Sequence, residues 1–367
     1  MAFFVYPMHE MRICLSARGG QNRISNDMKT YNLNRKNCLV IGGAGLLGLE
    51  IACQLQSQGA NVRILDLVSP VTNGKFDISV GDIRHREDIR EACRDIDVVF
   101  QTAAAVWDPK TAKRLYEEVN IGGNSKVIDT CIEQGVKRLV FTSTMDVVVD
   151  GKKPIKNGDE SLGYPKKMPS DHYCRTKIIA EKMVLEANSS KLLTCALRPV
   201  GMYGPRDKYH IKNIIEAVNR GLKFKLGNGK AKFSHVYSEN AAHAHILAAE
   251  RLVDGGPVAG NNYFITDGCP SQNLFDFMEP FLLGLGLKPP AKRIPYPLAY
   301  ILGFINEKLN PCSTFNRFSV VQTCVEHTFL SLKAERDLGY RPIVSTKEAF
   351  GKTLSWFAQE YGKKDDR

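Results

Sequence analysis

The stretch DHYCRTK, residues 171–177, sets a phenol and an ammonium four places apart. Tyr173 is the only one of 13 tyrosines with a lysine at that spacing, and chance alone supplies about one such pair in a chain of ordinary composition. If Asp171 caps a helix here, Tyr173 and Lys177 lie one turn apart on one face. An ammonium beside a phenol favours the phenolate and lowers its pKa toward working pH, which makes Tyr173 an acid/base group tuned by Lys177. Two residues on a wet helix face is the competing reading, and only the surrounding elements can decide between them.

A second constellation sits upstream. Residues 41–48, IGGAGLLG, follow the apolar run CLVI and precede a helical pattern, with Gly42, Gly45 and Gly48 spaced as GxxGxxG. The first glycine permits a tight turn, the second lets the backbone approach a pyrophosphate, and the third allows close helix packing. Leu46 and Leu47 open the helix whose N-terminus supplies partial positive charge. The next apolar run ends at Asp66, 18 residues past Gly48. A carboxylate there accepts from both adenosine ribose hydroxyls and repels a 2′-phosphate, so NAD is expected rather than NADP. Arg63 lies within that strand, where it is poorly placed to clamp a phosphate.

These residues need a scaffold, and the chain supplies a regular one. From residue 38 the runs CLVIGG, NVRILDL, FDISVGD, DVVFQTA, KRLVFTST and LLTCALRP alternate with helical spacing. That rhythm predicts an α/β fold: a Rossmann-type, doubly wound parallel sheet built from βαβ units. Beyond Arg198 the pattern breaks at RPVGMYGP, GLKFKLGNG and DGGPVAGNN. The chain therefore divides into a nucleotide-binding domain over 37–200, with a return segment at about 233–260, and a smaller substrate-binding lobe over 201–232 and 261–357. Residues 1–36 read as a disordered extension and 358–367 as a polar tail.

Composition narrows the function classes. Apolar residues make up 43% of the 367 and charged ones 24%, as in ordinary globular proteins. Lysine and arginine exceed aspartate and glutamate by 50 − 39 = 11, which suits an anionic cofactor, substrate or surface. The basic residues are dispersed, with no aromatic-interleaved basic run, so nucleic acid is not an expected partner. Ten cysteines without a CxxC, several in apolar segments, read as buried thiols in a reducing compartment. His243 and His245 stand two apart and face different ways on a helix, so they and His235 are expected to be structural, with no metal. The start, MAFFVYP, is too short and wrongly flanked for a secretory signal. No apolar run is long enough to cross a bilayer; IPYPLAYILGFI, 294–305, could lie in an interface or in the core.

Together GxxGxxG, Asp66, GDIR at 81–84, YCRTK and RPVGMYGP at 198–205 resemble the extended short-chain dehydrogenase/reductases. KNGDESLGYP, HAHILAAERL, GNNYFITDG and LGYRP resemble, within these, the 3β-hydroxysteroid dehydrogenase and sterol-4-carboxylate 3-dehydrogenase family, over about residues 37–357. The resemblance implies that Asp82 and Ile83 flank the adenine, Ala103 and Ala104 line the cofactor, and Pro199 and Val200 touch the nicotinamide. It implies that Lys177 also binds the nicotinamide ribose and that Asn120 is structural. The family's catalytic serine falls on Thr144 of FTSTM, a departure that keeps the hydroxyl and adds a methyl group; Ile41 replaces the usual threonine before the glycine turn. The implied activity is NAD-dependent oxidation of a 3β-hydroxyl on a steroid or sterol to the 3-ketone, with Tyr173 taking the proton. A carboxylate on the neighbouring carbon would then leave as carbon dioxide. The implied setting is the cytosolic face of the endoplasmic reticulum membrane or a lipid droplet, reached by peripheral contact through 294–305, with cytoplasm as the alternative and a homodimer left open.

Two other readings remain. Nucleotide-sugar epimerases and dehydratases share the cofactor half, but GNGKAKFSHVY, 227–237, lacks the arginine that meets their nucleotide phosphates, and Lys232 offers no bidentate fork. A catalytically weak NAD-binding sensor is the non-enzymatic reading, sustained by Thr144.

Overall fold

The central strands are apolar on both sides, as a parallel sheet covered on both faces requires. The computed structural model describes residues 30–70, 76–151, 153–169 and 171–362. Seven strands form the sheet: β1 (Asn37–Ile41), β2 (Asn61–Asp66), β3 (Asp77–Val80), β4 (Val98–Gln101), β5 (Arg138–Thr142), β6 (Leu193–Pro199) and β7 (Asn262–Ile265). Their spatial order is β3-β2-β1-β4-β5-β6-β7, and every pairing is parallel. Successive side chains go to opposite faces. Cys38 and Val40 pack with Ile51 and Leu55 of α1 (Leu46–Ser57) and with Ala241 and Ala248 of α5 (Ser238–Arg251). Leu39 and Ile41 pack on the other face with Ile89 of α2 (Arg86–Ala92), Val127 of α3 (Asn124–Glu133) and Val184 of α4 (His172–Glu186).

The chain winds away from β1 in one direction through β2 and in the other through β4. A crevice opens at the carboxyl ends of these two strands, where ligands of doubly wound sheets sit. The Rossmann-type fold read from the sequence is the fold observed.

Several boundaries differ from the sequence reading. Residues 262–265, read as lobe, pair with β6 because NYFI is a short apolar run that completes the sheet edge. Residues 30–36, read as part of a disordered extension, are packed: Leu33 is buried, Tyr31 N–H donates to Glu250 O at 2.7 Å, and the Arg138 guanidinium lies 3.4 Å from the Tyr31 ring centre. Helix Thr346–Gly362 runs into the segment read as a tail. Residues 1–29 and 363–367 lie outside the described residues.

The lobe has its own apolar centre, in which Tyr203, Ile211, Ile215, Phe277, Phe281 and Phe357 meet. Helix Tyr296–Leu309 packs on helix Arg317–Cys324 through a narrow seam: only Ala299 and Gly303 are buried, and a Cβ on Gly303 would lie 3.2 Å from the Asn316 backbone.

One ion pair is sealed in the interior. Arg198 of β6 meets Glu181 of α4 at 2.6 Å, with both side chains buried, and Tyr164 Oη donates to the same carboxylate at 2.7 Å. Removing one partner strands the other charge in a medium that cannot hydrate it. Glu181→Ala is expected to lose about 3–5 kcal/mol of unfolding free energy in urea titration; a loss under about 1 kcal/mol would show the pair to be dispensable.

Candidate active site

The glycine turn is built as the spacing requires. Gly42 has φ +81°, and a Cβ there would fall 2.6 Å from the Ala103 amide nitrogen. A Cβ on Gly48 would fall 2.2 Å from Gly42 O, so the first turn of α1 rests directly on the loop. Asp66, at the end of β2, accepts the Ala44 N–H at 2.9 Å and thereby braces the turn. Arg63 points away, bonded to Asp77 at 2.6 Å and to the carbonyls of Ala92 and Arg94. Leu46, Leu47, Asp82, Ile83, Ala103, Ala104, Pro199 and Val200 all line one cavity with these glycines. Asp82 is held by Arg84 at 2.6 Å, and the guanidinium keeps its carboxyl below the usual range. Ile83 is buried against Gly123, where a Cβ would lie 2.7 Å away.

Gly123 ends a π-helical stretch, Glu117–Gly123, leading into α3. Asn120 lies in this stretch and is buried. Its Oδ1 accepts from Ala105 N at 2.8 Å, and its Nδ2 donates to Ala105 O at 3.1 Å and to Thr176 Oγ1 at 3.0 Å. This asparagine therefore ties the loop after β4 to α4, one position from Lys177.

Asp171 caps α4 by accepting Cys174 N–H at 3.0 Å, and Tyr173 and Lys177 line the same cavity. Lys177 Nζ donates to Thr142 O at 2.7 Å and lies 4.4 Å from the Phe141 ring centre. Burial pulls its pKa down to about 8. The sequence reading has Lys177 lowering the Tyr173 pKa; the structure shows Tyr173 well above the usual value. Burial is the larger cause and the nearby Asp146 charge the next, with a hydrogen bond to Thr144 acting the other way. Thr144, two residues beyond β5, is buried and lines the cavity. The Ser143 hydroxyl also lies on the cavity lining, buried and with no hydrogen bond among the described residues, whereas Thr144 is the hydroxyl bonded to Tyr173.

The histidines occupy structural positions. His245 Nδ1 meets Ala241 O at 2.8 Å and its Nε2 meets Thr142 Oγ1 at 2.9 Å; burial holds it neutral, down to about 4. His235 stacks on Phe277 with centroids 3.7 Å apart, and His243 is half-buried on α5. Among the described residues no His, Cys, Asp or Glu group could hold a metal ion.

The cavity, about 1410 Å³, runs from the glycine turn past Tyr173 into the lobe. Its far wall is apolar: Trp107, Met202, Phe224, Leu226, Phe233 and Phe318. Trp107 and Phe318 stack at 5.0 Å across it. The sequence reading missed this wall, Asp146 and Gln322. Asp146 carried one signal, a carboxylate inside the apolar run MDVVV; Gln322 carried none.

The fold and this site define an oxidoreductase of the short-chain dehydrogenase/reductase class. The model of the 3-beta hydroxysteroid dehydrogenase/isomerase family matches residues 39–298. Short-chain dehydrogenase/reductase family 42E member 1 of Homo sapiens is 38% identical over 332 residues, covering 84% of each chain. Sterol-4-alpha-carboxylate 3-dehydrogenase, decarboxylating, of Mus musculus is 36% identical over 333 residues, 88% of this chain and 91% of that one. The chain belongs to the 3-beta hydroxysteroid dehydrogenase/isomerase family. In fold it is also similar to the UDP-glucose 4-epimerase of Thermotoga maritima, with a TM-score of 0.70 at 21% identity, over 89% of this chain and 99% of that one.

The lowered Lys177 pKa makes stability depend on pH. Between about 8 and the ordinary lysine value the unfolded chain binds a proton that the folded chain does not, so stability rises with pH in this window. The unfolding free energy of the native protein, relative to Lys177→Met, is expected to rise by up to about 3 kcal/mol from pH 8 to 10.5. A pH-independent difference would contradict a buried, tuned lysine.

Proposed function

We propose that this protein oxidises the 3β-hydroxyl of a steroid or sterol to the 3-ketone with NAD. The observation that carries the reading is a single cavity with two chemistries. The Thr144 and Tyr173 hydroxyls stand between a dinucleotide cradle and an apolar chamber.

The residues present fit NAD. Gly42 and Gly48 let the turn close against the Ala103 backbone and α1 close against the turn, where a Cβ would strike backbone atoms, so main chain is brought up to the cavity; Asp66 stands at the end of β2, where ribose hydroxyls are recognised. Leu46, Leu47, Asp82, Ile83, Ala103, Ala104, Pro199 and Val200 would hold the remainder. When bound, NAD supplies the hydride acceptor and a positive charge near the phenol.

The chain's own residues do the rest. Thr144 and Tyr173 hold the substrate oxygen between them: while the phenol is protonated the alcohol O–H rests on Thr144, and once the phenol is ionised that O–H turns to Tyr173, which takes its proton. The Lys177 ammonium opposes the burial that keeps the phenol protonated in the free protein. The apolar wall excludes water and accepts a rigid hydrocarbon skeleton through area burial alone. A carboxylate on the carbon beside the new ketone would be lost as carbon dioxide, because the carbonyl accepts its electrons.

The epimerase reading fares less well. Lys232 is exposed and outside the cavity lining, and Arg206, which does reach the cavity, is held by Glu50 at 2.8 Å. Diphosphate recognition would need a free guanidinium fork there.

We take the exposed apolar face of helix Tyr296–Leu309 as a peripheral contact with a lipid surface, the endoplasmic reticulum or a lipid droplet on the cytosolic side. Leu298, Ile301, Leu302, Phe304, Ile305 and Leu309 are all exposed, with Lys292, Arg293 and Lys308 beside them. Among the described residues no helix is long and apolar enough to cross a membrane.

NADH formation from a 3β-hydroxysteroid, followed at 340 nm, is expected to fall at least about 100-fold in Tyr173→Phe. Turnover of a UDP-sugar but of no steroid would overturn the reading. The double variant Ile301→Asp/Ile305→Asp should remain in the supernatant when spun with anionic phospholipid vesicles that pellet the native protein. Equal pelleting of both would remove the lipid contact.

A further inference from the structure

Asp146 lies two residues past Thr144, in the 3-10 turn Met145–Val148, and its carboxylate reaches the cavity. It holds two donors. Thr144 Oγ1 lies 3.0 Å from Oδ2, and Gln322 Nε2 donates to Oδ1 at 2.7 Å from helix Arg317–Cys324 of the lobe. Thr144 Oγ1 in turn accepts the Asp146 N–H at 3.2 Å. A hydroxyl has one proton and two lone pairs. Asp146 and Tyr173 both neighbour that proton, and an ionised carboxylate is the stronger acceptor. Thr144 then offers the cavity a lone pair, which can accept from an alcohol O–H and cannot donate to a ketone.

We propose that Asp146 is a positioning residue that, while ionised, fixes Thr144 as a hydrogen-bond acceptor, so that the site prefers the hydroxyl form of its substrate to the ketone. The inference rests on the reading that an alcohol and its ketone are the substrate pair. Protonation reverses the arrangement: Asp146 then donates to Thr144, and Thr144 turns its proton toward the substrate oxygen. The alcohol preference therefore belongs to high pH and is lost as pH falls through the Asp146 pKa. The groups that bear on this carboxylate from α4 are Asp171, Tyr173 and Cys174, and from the lobe the uncharged Gln322. Burial and the Asp171 charge push its pKa up, while the two donors pull it down.

Calorimetry tests this on two unreactive complexes: a saturated 3β-hydroxysteroid added to protein with NADH, and its 3-ketone added to protein with NAD, from pH 5 to 9. In the native protein the ratio of alcohol to ketone affinity is expected to rise about tenfold with pH, the scale of one charge-assisted hydrogen bond. Asp146→Asn, with folding checked by thermal unfolding, should give a flat ratio. Gln322→Leu should move the midpoint to higher pH by removing a donor to the carboxylate. A ratio that is flat in the native protein, or that changes equally in Asp146→Asn, overturns the proposal and leaves the dehydrogenase reading standing. Failure of both steroids to bind at any pH overturns both.

Discussion

Three polar side chains on α4, those of Thr176, Lys177 and Glu181, are buried, and each needs a partner that water cannot supply. Thr176 accepts from Asn120, Lys177 donates to the Thr142 carbonyl, and Glu181 pairs with Arg198. Those partners come from the loop-facing π-helical stretch, the end of β5 and β6. Leaving any one unmatched costs more than an ordinary surface contact returns, so α4 can seat in one register only. That register sets Tyr173 beside Thr144 and Lys177 against the end of β5.

The sheet contributes the second half of the arrangement. Its order reverses between β1 and β4, which leaves the glycine turn and the Ala103–Ala104 segment facing each other across the crevice. A dinucleotide held there would end where α4 begins. The lobe adds volume: apolar and aromatic side chains from 222–235 and 274–318 line one part of the cavity, and Arg206, Asp207, Lys208, Lys212 and Glu360 line another. An apolar wall at one end and hydroxyl and carboxyl groups at the other give one cavity two chemistries.

Local chemistry was legible in the sequence because it is encoded at short range. The glycine turn needs three small residues at fixed offsets, Asp66 ends a recognisable apolar strand, and Asp171, Tyr173 and Lys177 lie within one helix start. What escaped notice is long-range. Asp146 and Gln322 are 176 residues apart, and Trp107 meets Phe318 only after the lobe folds over the crevice. Residues 262–265 look like lobe until β6 offers them an edge. The Tyr173 pKa was misjudged for a related reason. The lysine four places away is visible in the sequence, whereas the burial and the Asp146 carboxylate that raise the phenol's pKa depend on tertiary packing.

The central claim is that one cavity brings a dinucleotide and an apolar secondary alcohol together at Tyr173. Mass spectrometry of the cofactor after incubation with NAD and a 3β-hydroxysteroid deuterated at C3 tests it most directly. The recovered NADH is expected to carry the deuterium, and the steroid to be recovered as the unlabelled 3-ketone. NADH without label, or labelled steroid recovered unchanged beside tightly bound NAD, would contradict it.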